Sequence, residues 1–332
     1  MKEFENYQTG ALLYSPANHP TLVNSLLTNR FGDKYSMALC LEDTINDKKV
    51  REAELTMEAS LMELYKALEE GKEFYLPKIF VRVREPEQIR RITRELGDAT
   101  KVITGFNLPK FNLENADGYL RAIDDIVDLK PDVKFMPIIE SNDMINIRRR
   151  ADFLYKLKDV IKPYEARIPN VRVGGNDISH LYALRRHVNE TIYDLKPVAA
   201  ALTDILSVFL AEYVVSGPVF EYYSGPYWEE GLKAECAMDV AMGFVGKTCI
   251  HPNQVRIINE ALKVSREDYD DAMQILCWNK NAAGVSGSTN KSRMNEVKTH
   301  TNWAQRIVHM ANYYGIKEPI KRTIGLHQVE NP

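Results

Sequence analysis

The stretch VKFMPIIE at residues 133–140 determines the fold that this sequence predicts. It is apolar almost throughout, does not alternate between polar and apolar residues, and ends on a glutamate. Continuous apolarity is typical of a strand whose sheet is covered on both faces, as in parallel α/β proteins. Seven further runs of this kind occur along the chain: ALLYS (11–15), YSMALCLED (35–43), KIFVRV (78–83), KVITGFNLP (101–109), NVRVGG (170–175), VVSGPVF (214–220) and KTCIH (247–251).

The regular spacing of these eight runs predicts how they are arranged. Their centres lie about 34 residues apart, which matches a unit of one strand and one helix. The segments between them have helical periodicity, as in residues 49–70, where apolar side chains form one stripe that ends before Gly71. Eight strands alternating with helices predict an α/β fold, a TIM (β/α)8 barrel. A doubly wound open sheet is the alternative, and the lack of a glycine fingerprint after the first run disfavours it.

The end of the chain follows a different pattern. Residues 281–297 are rich in Gly, Ser and Asn and predict a loop, and an amphipathic helix is predicted at roughly 298–313. We therefore expect a barrel domain over residues 1–265 and a small C-terminal helical extension or lid over residues 266–332. This extension is expected to dock either on its own barrel or on a neighbouring subunit.

Composition excludes several classes of protein. The 332 residues are 45% hydrophobic and 27% charged, which is typical of a globular chain. A net charge of −3 provides no overall attraction to nucleic acid or to an anionic membrane. The apolar stretch from Val198 to Val215 carries Asp204 and Glu212, so it predicts a buried helix and not a membrane span. We therefore expect neither a nucleic-acid partner nor a membrane partner.

The cysteines and the first residues bear on the compartment. The four cysteines form no C-x-x-C pair, which argues against a zinc ribbon or a thioredoxin-type motif, and their sparseness suits a reducing compartment. Cys40 and Cys249 lie within strand runs and are expected to be buried. The opening decapeptide is polar and resembles no secretory signal, so the expected location is cytoplasmic.

Candidate functional residues are found where the predicted strands end, because the active sites of (β/α)8 barrels lie at the carboxyl ends of their strands. The polar and turn residues at these ends are Pro16, Asn18, Glu42, Asp43, Arg82, Arg84, Pro109, Lys110, Glu140, Gly174, Gly175, Asn176, Asp177, Glu221, Tyr222 and His251. A closed barrel would gather these acids beside a few basic residues. Such crowding is costly unless a cation neutralises it.

The residue types at these ends suggest specific roles. Glu140 and Asp177 end adjacent strands and could hold Mg²⁺ together with waters and a chelating substrate, whereas isolated acids are more often solvated surface residues. Arg82 interrupts an apolar run and could bind a carboxylate or enolate oxygen, or could pair with a neighbouring acid for structural reasons. Lys110 could anchor an anion or could be a charge on the barrel rim.

Two further features look catalytic at first sight. AMGFVGKT at residues 241–248 is similar to a phosphate-binding loop, but a helix precedes it and a short strand follows, the reverse of the order that such a loop requires. His251 could serve as a catalytic acid or base, but fixing the turn before the following helix is the more common role for such a residue. No nucleophile elbow of the type G-x-S-x-G is found.

Taken in order, these motifs resemble the β-subunit of citrate lyase and its relatives in the HpcH/HpaI aldolase group. The resemblance covers almost the whole chain and includes the C-terminal helix. Its strongest segment is residues 231–255. The segments that carry it are LLYSPANHP, CLEDTINDKK, FVRV, GFNLPK, PIIES, VGGNDIS and GLKAECAMDVAMGFVGKTCIHPNQV.

The resemblance implies an activity: cleavage or formation of a carbon–carbon bond beside a carbonyl, in an acyl thioester of a hydroxy-diacid or in a small oxo-acid. It implies a Mg²⁺ site at Glu140 and Asp177, with Arg82 binding the oxygen that gains charge. Glu42 and Asp43 would lie close to the metal waters, and Asp43 or a metal-bound water could be the base. Substrate binding is expected at Arg82, Lys110, Gly174, Gly175 and Asn176. The implied assembly is a homotrimer or hexamer.

The sequence departs from the family at two positions. Gly10 stands where the family has an arginine on the side of the anionic cofactor, which argues against coenzyme A thioesters as substrates. The loop FEYYSGPYWEEG (220–231) is longer and more aromatic than its counterpart, with Tyr222 where an acid is common. These departures keep two alternatives open: a thioesterase that uses the same site, and a barrel that binds a metabolite without catalysis.

Overall fold

The computed structural model describes residues 2–278 and 284–317. The chain forms two compact units that divide between Leu262 and Lys263. The part of the predicted extension or lid at residues 318–332 lies outside the described residues, and the division into domains stays a prediction.

The first unit contains a parallel sheet whose strands correspond to the eight apolar runs. The strands are β1 (Ala11–Pro16), β2 (Tyr35–Cys40), β3 (Lys78–Arg82), β4 (Gly105–Leu108), β5 (Lys134–Ile139), β6 (Val171–Val173), β7 (Val215–Ser216) and β8 (Lys247–Cys249). Their order in the sheet is β7-β6-β5-β4-β3-β2-β1-β8, and all hydrogen-bonded neighbours are parallel. The predicted (β/α)8 barrel is thereby confirmed.

The barrel is nearly closed, and the seam lies between β7 and β8. Here the pairing reduces to one parallel bridge between Gly217 and Lys247. Around it, the amide of Val245 donates to the carbonyl of Val215 at 2.8 Å, and the amide of Gly217 donates to the carbonyl of Gly246 at 2.9 Å. Gly246 has φ +84°, and a Cβ there would lie 2.5 Å from a backbone oxygen, so this crossing needs glycine.

Helices lie between the strands of the first unit. They are α1 (Leu22–Leu27), α2 (Val50–Glu69), α3 (Pro86–Leu96), α4 (Ala116–Asp124), α5 (Ile147–Ile161), α6 (Gly175–Leu181), α7 (Lys196–Phe209), α8 (Trp228–Met242) and α9 (Pro252–Leu262). Short 3-10 segments add Phe4–Thr9, Asp47–Lys49, Gly97–Val102, Asn142–Ile145, Lys162–Arg167 and Ile192–Asp194. The prediction of one buried helix over residues 198–215 is wrong at its end, because α7 stops at Phe209 and the chain then turns into β7. Within residues 2–278 and 284–317, no helix is both long and apolar enough to cross a membrane.

Inside the barrel, a layer of apolar side chains lies nearer the amino ends of the strands, and polar side chains lie nearer their carboxyl ends. Leu12, Ala38, Phe80 and Met136 form a fully buried cluster against which Tyr14 packs. Burying such side chains stabilises the fold by about 1.5–3 kcal/mol each for the larger ones. Beyond this layer, toward the carboxyl ends of the strands, the inward positions carry polar side chains. Cys40 and Cys249 are buried and free, as predicted.

The second unit has its own small core. It consists of α10 (Arg266–Leu276), the antiparallel strands β9 (Val285–Gly287) and β10 (Met294–Glu296), and α11 (Val297–Tyr314). The predicted loop at 281–297 is therefore wrong in part, since a short hairpin forms there, while residues 281–283 lie outside the described residues. The predicted C-terminal helix is α11, which packs on α10 through Ala272, Ile275 and Ala304.

Candidate functional site

The ends of β2 to β6 bring the predicted acids and bases together at one mouth of the barrel. Glu42 and Asp43 follow β2, Arg82 ends β3, and Lys110 follows β4. The remaining members of the set are Glu140 after β5 and Gly174, Gly175, Asn176 and Asp177 after β6. Parallel strands place their carboxyl ends on one side of the sheet, so residues far apart in sequence meet here.

Arg82 is the centre of this group. Its Nη2 lies 2.7 Å from Oε2 of Glu42, 3.2 Å from Oδ2 of Asp43 and 3.2 Å from Oε1 of Glu140. Burial alone would lower the pKa of Arg82, but the surrounding acidic groups raise it, so the guanidinium stays charged. Its Nε has no hydrogen-bond partner, which leaves one donor of the guanidinium without an acceptor. Arg82 therefore pairs with acids and also keeps unused binding capacity.

Lys110 connects two of the acids. Its backbone amide donates to Oε1 of Glu140 at 3.0 Å, and its Nζ lies 2.6 Å from Oε1 of Glu42. The residue has φ +48°, a left-handed conformation that is uncommon for a side chain larger than glycine. This conformation turns the amide toward Glu140 while the half-exposed side chain reaches Glu42. Desolvation would lower the pKa of the amine, but the carboxylates of Glu42 and Asp43 raise it.

Glu140 is buried beside a second carboxyl group. It is 4% exposed, and burial raises its pKa to about 8; Arg82 opposes this shift, whereas Asp177 adds to it. Asp177 is partly buried in the first turn of α6. Asp177 thus disfavours the ionisation of the neighbouring Glu140, and a divalent cation bound between the two carboxyls would relieve this. The donor set therefore fits Mg²⁺, and Glu140 and Asp177 would hold it.

The glycines after β6 allow Glu140 to occupy this position. A Cβ on Gly174 would lie 1.9 Å from Oε2 of Glu140, and a Cβ on Gly175 would lie 2.5 Å from side-chain carbons of Ile192 and Pro218. Gly174 therefore lets the carboxyl of Glu140 pack directly against the backbone. Because Oε1 is bound by Lys110 and Arg82, the face toward Gly174 is the Oε2 side of the carboxyl.

A cavity of about 210 Å³ opens beside these groups. It is smaller than the clefts of about 300–1,000 Å³ that bind drug-sized ligands, so it has room only for a small molecule. Its wall is formed by Tyr14, Cys40, Asp43, Thr44, Arg82, Ile138, Glu140, Arg172, Val173, Gly174, Gly175, Asn176, Asp177, Val219, Thr248 and Ile250. Seven of the predicted site residues belong to this wall, whereas Glu42 and Lys110 contact wall residues without joining it.

The two carboxyls beside Arg82 differ in their acidity. Burial is the main influence that raises the pKa of Glu42, and the positive charge of Arg82 only partly offsets it. Burial would also raise the pKa of Asp43, but the hydrogen bond with Glu42 and the charges of Arg82 and Lys110 lower it. Asp43 is therefore the more acidic member of the pair.

Sequence reasoning missed several polar residues of the wall. Arg172 lies within β6, and its guanidinium contacts the hydroxyls of Ser216 and Thr248. Tyr14 lies under Arg82, whose Cζ is 5.7 Å from the centre of the ring. The signal for Arg172 was present in NVRVGG, where an arginine interrupts an apolar run as Arg82 does in FVRVRE.

The segment AMGFVGKT has a structural role in this fold. Lys247 is fully buried, with its Nζ 2.8 Å from Oε1 of Glu235 and 2.7 Å from Oδ2 of Asp239. Glu235 also lies 3.1 Å from the buried Arg186 and accepts from the amide of Ile192. This buried ion network joins α8 to β8 at the barrel seam. It accounts for Glu235, Asp239 and Lys247 in the segment that carried the strongest resemblance.

The turn after β8 is fixed mainly by Gln254, and His251 contributes one hydrogen bond to it. The buried Gln254 side chain accepts from the amides of Ile250 and His251 and donates to the carbonyls of Phe220 and Tyr222. His251 accepts from the amide of Asn253 at 3.2 Å and stacks on Tyr223 with ring centres 4.8 Å apart. The structural role expected for His251 therefore belongs mainly to a residue three positions later.

Within residues 2–278 and 284–317, no three acidic, histidine or cysteine side chains gather in a way that could hold a metal ion. Glu140 and Asp177 would thus be the protein ligands of a cation whose other ligands are waters or substrate, which is common for Mg²⁺. The fold and this mouth define a class: a (β/α)8 barrel whose strand ends present two carboxyls, an arginine and a small polar cavity.

Comparison with known families identifies one family of this class. The sequence model of the family described as "C-C_Bond_Lyase of the TIM-Barrel fold" matches residues 3–316. The chain belongs to this family of carbon–carbon bond lyases. No curated protein sequence matches the chain significantly.

Solved structures share the fold at low sequence identity. A citrate lyase from Burkholderia xenovorans aligns with a TM-score of 0.68 at 16% identity, over 94% of both chains. The protein CitE of Mycobacterium tuberculosis, in complex with magnesium, acetoacetate and coenzyme A, aligns with a TM-score of 0.60 at 17% identity, over 92% of this chain and 99% of that one. A complex of citrate lyase β-subunit with oxaloacetate and magnesium from the same organism gives 0.50 at 17% identity, over 77% and 98%.

Proposed function

We propose that this protein is a Mg²⁺-dependent carbon–carbon lyase that cleaves, reversibly, a bond next to a carbonyl in a small oxo- or hydroxy-acid or in its acyl thioester. The observation that carries the proposal is the buried Glu140 beside Asp177, with Arg82 3.2 Å from Glu140, in the wall of one small cavity. Family membership and the magnesium complexes of the structural neighbours support the same chemistry.

The residues of the site would have different roles in such a reaction. Glu140 and Asp177 would hold Mg²⁺, which supplies Lewis acidity toward a substrate carbonyl when bound. Arg82 binds the substrate oxygen that gains negative charge as the bond breaks, since its guanidinium is fixed in a largely water-excluded site. Glu42 and Lys110 position Arg82 and Asp43 through the ion pairs described above.

Asp43 is the proposed base. It is the acidic residue of the cavity wall that is not assigned to the metal, its pKa is lowered, and its Oδ2 lies 3.2 Å from Nη2 of Arg82. In the cleavage direction Asp43 accepts the proton of the substrate hydroxyl as the bond breaks into a carbonyl compound and an enolate, and it then returns that proton to the enolate carbon; the synthetic direction reverses both transfers. Lys110 would keep the cavity mouth positive, and the backbone at Gly174, Gly175 and Asn176 would bind the substrate's carboxylate.

The size of the cavity bears on the substrate. A volume of about 210 Å³ fits a short acid of the kind found in the neighbouring complexes, acetoacetate or oxaloacetate. A second cavity of about 290 Å³ shares Tyr14 and Ile250 with the first and could receive the arm of a thioester. Gly10 lies before β1 and lines neither cavity, so the argument against coenzyme A stays a prediction from the sequence. The trimeric or hexameric assembly and the cytoplasmic location stay predictions.

Replacement of Glu140 tests the proposal. The protein is incubated with Mg²⁺ and a panel of oxo-acids and acyl thioesters, and the products are identified by mass spectrometry. We expect E140Q to lower Mg²⁺-dependent cleavage by at least about a hundredfold, because it removes an anionic ligand. E54Q is the matched control, since Glu54 is equally buried but is paired with Arg51 and Arg91 on the outer side of the barrel. Full activity in E140Q would contradict the assignment.

The products separate the alternatives. A lyase releases two carbon fragments, whereas a thioesterase releases one acid and one thiol. A barrel without catalysis would bind Mg²⁺ and an oxo-acid in calorimetry and turn over no member of the panel.

A further inference from the structure

Arg172 is a buried guanidinium in the floor of the cavity. It is 1% exposed, and its strand position pairs with Ile138 on one side and Ser216 on the other. Its Nη1 donates to Oγ of Ser216 at 3.1 Å, and its Nη2 donates to Oγ1 of Thr248 at 2.6 Å. Its Nε has no hydrogen-bond partner. The guanidinium therefore has neutral partners only and a surplus of donors.

The charge of Arg172 is unpaired in the described part of the chain. No carboxylate among residues 2–278 and 284–317 forms an ion pair with it, whereas Arg82, Arg150 and Arg186 are each paired with an acid. A buried charge without a counterion is strongly unfavourable, and burial lowers the pKa of Arg172 accordingly. Retaining such a group in the wall of a cavity is expected where a ligand supplies the missing negative charge.

The hydroxyl partners hold Arg172 in place without neutralising it. Oγ of Ser216 donates to Oδ1 of Asn170 at 2.6 Å, so its proton is used and its lone pairs face the guanidinium. Thr248 on β8 provides the second acceptor across the barrel seam. The arginine is thus fixed in orientation before any ligand arrives, which lowers the entropic cost of binding an anion.

The position of Arg172 relative to the metal ligands sets the length of the ligand. Ile138 is the register partner of Arg172, and Glu140 lies two residues further along β5. Two strand residues correspond to about 7 Å, so the backbone of Arg172 is offset by about 7 Å along the strands from that of Glu140, and both side chains line the same cavity. A chain of three or four carbons with an acidic group at each end spans such an offset.

We propose that Arg172 binds a second carboxylate of the substrate, so that the site selects short oxo- or hydroxy-acids with two carboxylates over those with one. This inference rests on the proposed function for the position of the first carboxylate near Glu140 and Asp177. Arg82 already contacts three carboxylates, whereas Arg172 contacts none, so the deep end of the cavity is the place where an added anion gains most.

Calorimetry with a matched pair of probes tests this assignment. Oxaloacetate and pyruvate are titrated into the protein with Mg²⁺, since they share an oxo-acid group and differ in the distal carboxylate. We expect the wild type to bind oxaloacetate at least ten times more tightly than pyruvate. In R172Q the ratio should fall to near one, with the affinity for pyruvate unchanged within twofold. R172K should give an intermediate ratio, because it retains the charge but loses the planar fork.

R150Q is the matched control, since Arg150 is also buried but is paired with Asp204 away from the cavity. Its preference for oxaloacetate should equal that of the wild type. If thermal melting shows that R172Q does not fold, S216A removes one acceptor of Arg172 and should lower the ratio severalfold. A wild-type ratio near one, binding of neither acid, or a ratio retained in the folded Arg172 variant would overturn the inference. Failure of the proposed lyase activity is distinguishable, because the preference would then persist without any cleavage.

Discussion

Replacing Gly174 by alanine provides a direct test of how the candidate site is built. The added Cβ would lie 1.9 Å from Oε2, 2.4 Å from Cβ and 2.8 Å from Cδ of Glu140. Real Cβ contacts are essentially never shorter than 3.0 Å, so the two groups must separate by at least about 1 Å. Glu140 cannot turn aside without cost, because Oε1 is bound by the amide of Lys110 and by Arg82.

Two effects of G174A follow from this displacement. Moving a carboxylate ligand by about 1 Å should weaken Mg²⁺ binding by about 10–100-fold and lower turnover by about a hundredfold. The crowding should also lower the free energy of unfolding by about 1–3 kcal/mol. Calorimetry with Mg²⁺ measures the first effect, and urea unfolding measures the second.

G118A serves as the control for this experiment. Gly118 lies within α4, and its Cβ would be 3.2 Å from Cγ of Pro86, a contact that small shifts relieve. Alanine is preferred to glycine inside a helix, so this variant should fold at least as well as the wild type and bind Mg²⁺ equally. If G174A keeps wild-type affinity for Mg²⁺ within twofold, Gly174 does not set the position of Glu140 and the reasoning is refuted.

Two further predictions concern stability. K247M should lower the free energy of unfolding by about 3–5 kcal/mol in urea titrations, because it leaves Asp239 buried without a cation and Glu235 with Arg186 alone; a loss below about 1 kcal/mol would contradict this. Burial and the neighbouring carboxyl of Glu95 raise the pKa of Glu58 from its ordinary value of 4.5 to about 7. Between these two pH values the folded state binds one proton more than the unfolded state, so the free energy of unfolding falls as the pH rises from 4.5 to 7. E58Q should therefore lose less Tm between pH 5 and pH 8 than the wild type does, and parallel pH profiles of the two proteins would argue against it.

The barrel was predictable because its signal is repeated. Each strand is an apolar run near the predicted place, although β4 is shortened, since residues 97–102 form a 3-10 turn in front of it. The weakest match is β7, whose two residues make up a small part of the predicted run VVSGPVF. Strand length there depends on how the seam closes, and that depends on contacts between Gly217 and Lys247 that no local pattern reveals.

The sequence predicted the site residues at the ends of the strands but not those in the middle of a strand. Glu140, Asp177 and Arg82 follow from the rule that chemistry lies at the carboxyl ends of barrel strands. Arg172 interrupts an apolar run as Arg82 does, but it lies inside β6 and not at its end, so the rule of strand ends passed over it. The roles of Gln254 and Lys247 depend likewise on partners distant in sequence.

The backbone and the side chain of Lys110 have different roles at the cavity. Its amide, turned by the left-handed backbone, orients Glu140, and any residue other than proline that accepts this conformation supplies the same donor. Its amine, by contrast, belongs to the side chain and can be lost by a single substitution. A substitution at position 110 can therefore change the charge of the cavity mouth while the orientation of the Glu140 carboxyl is kept.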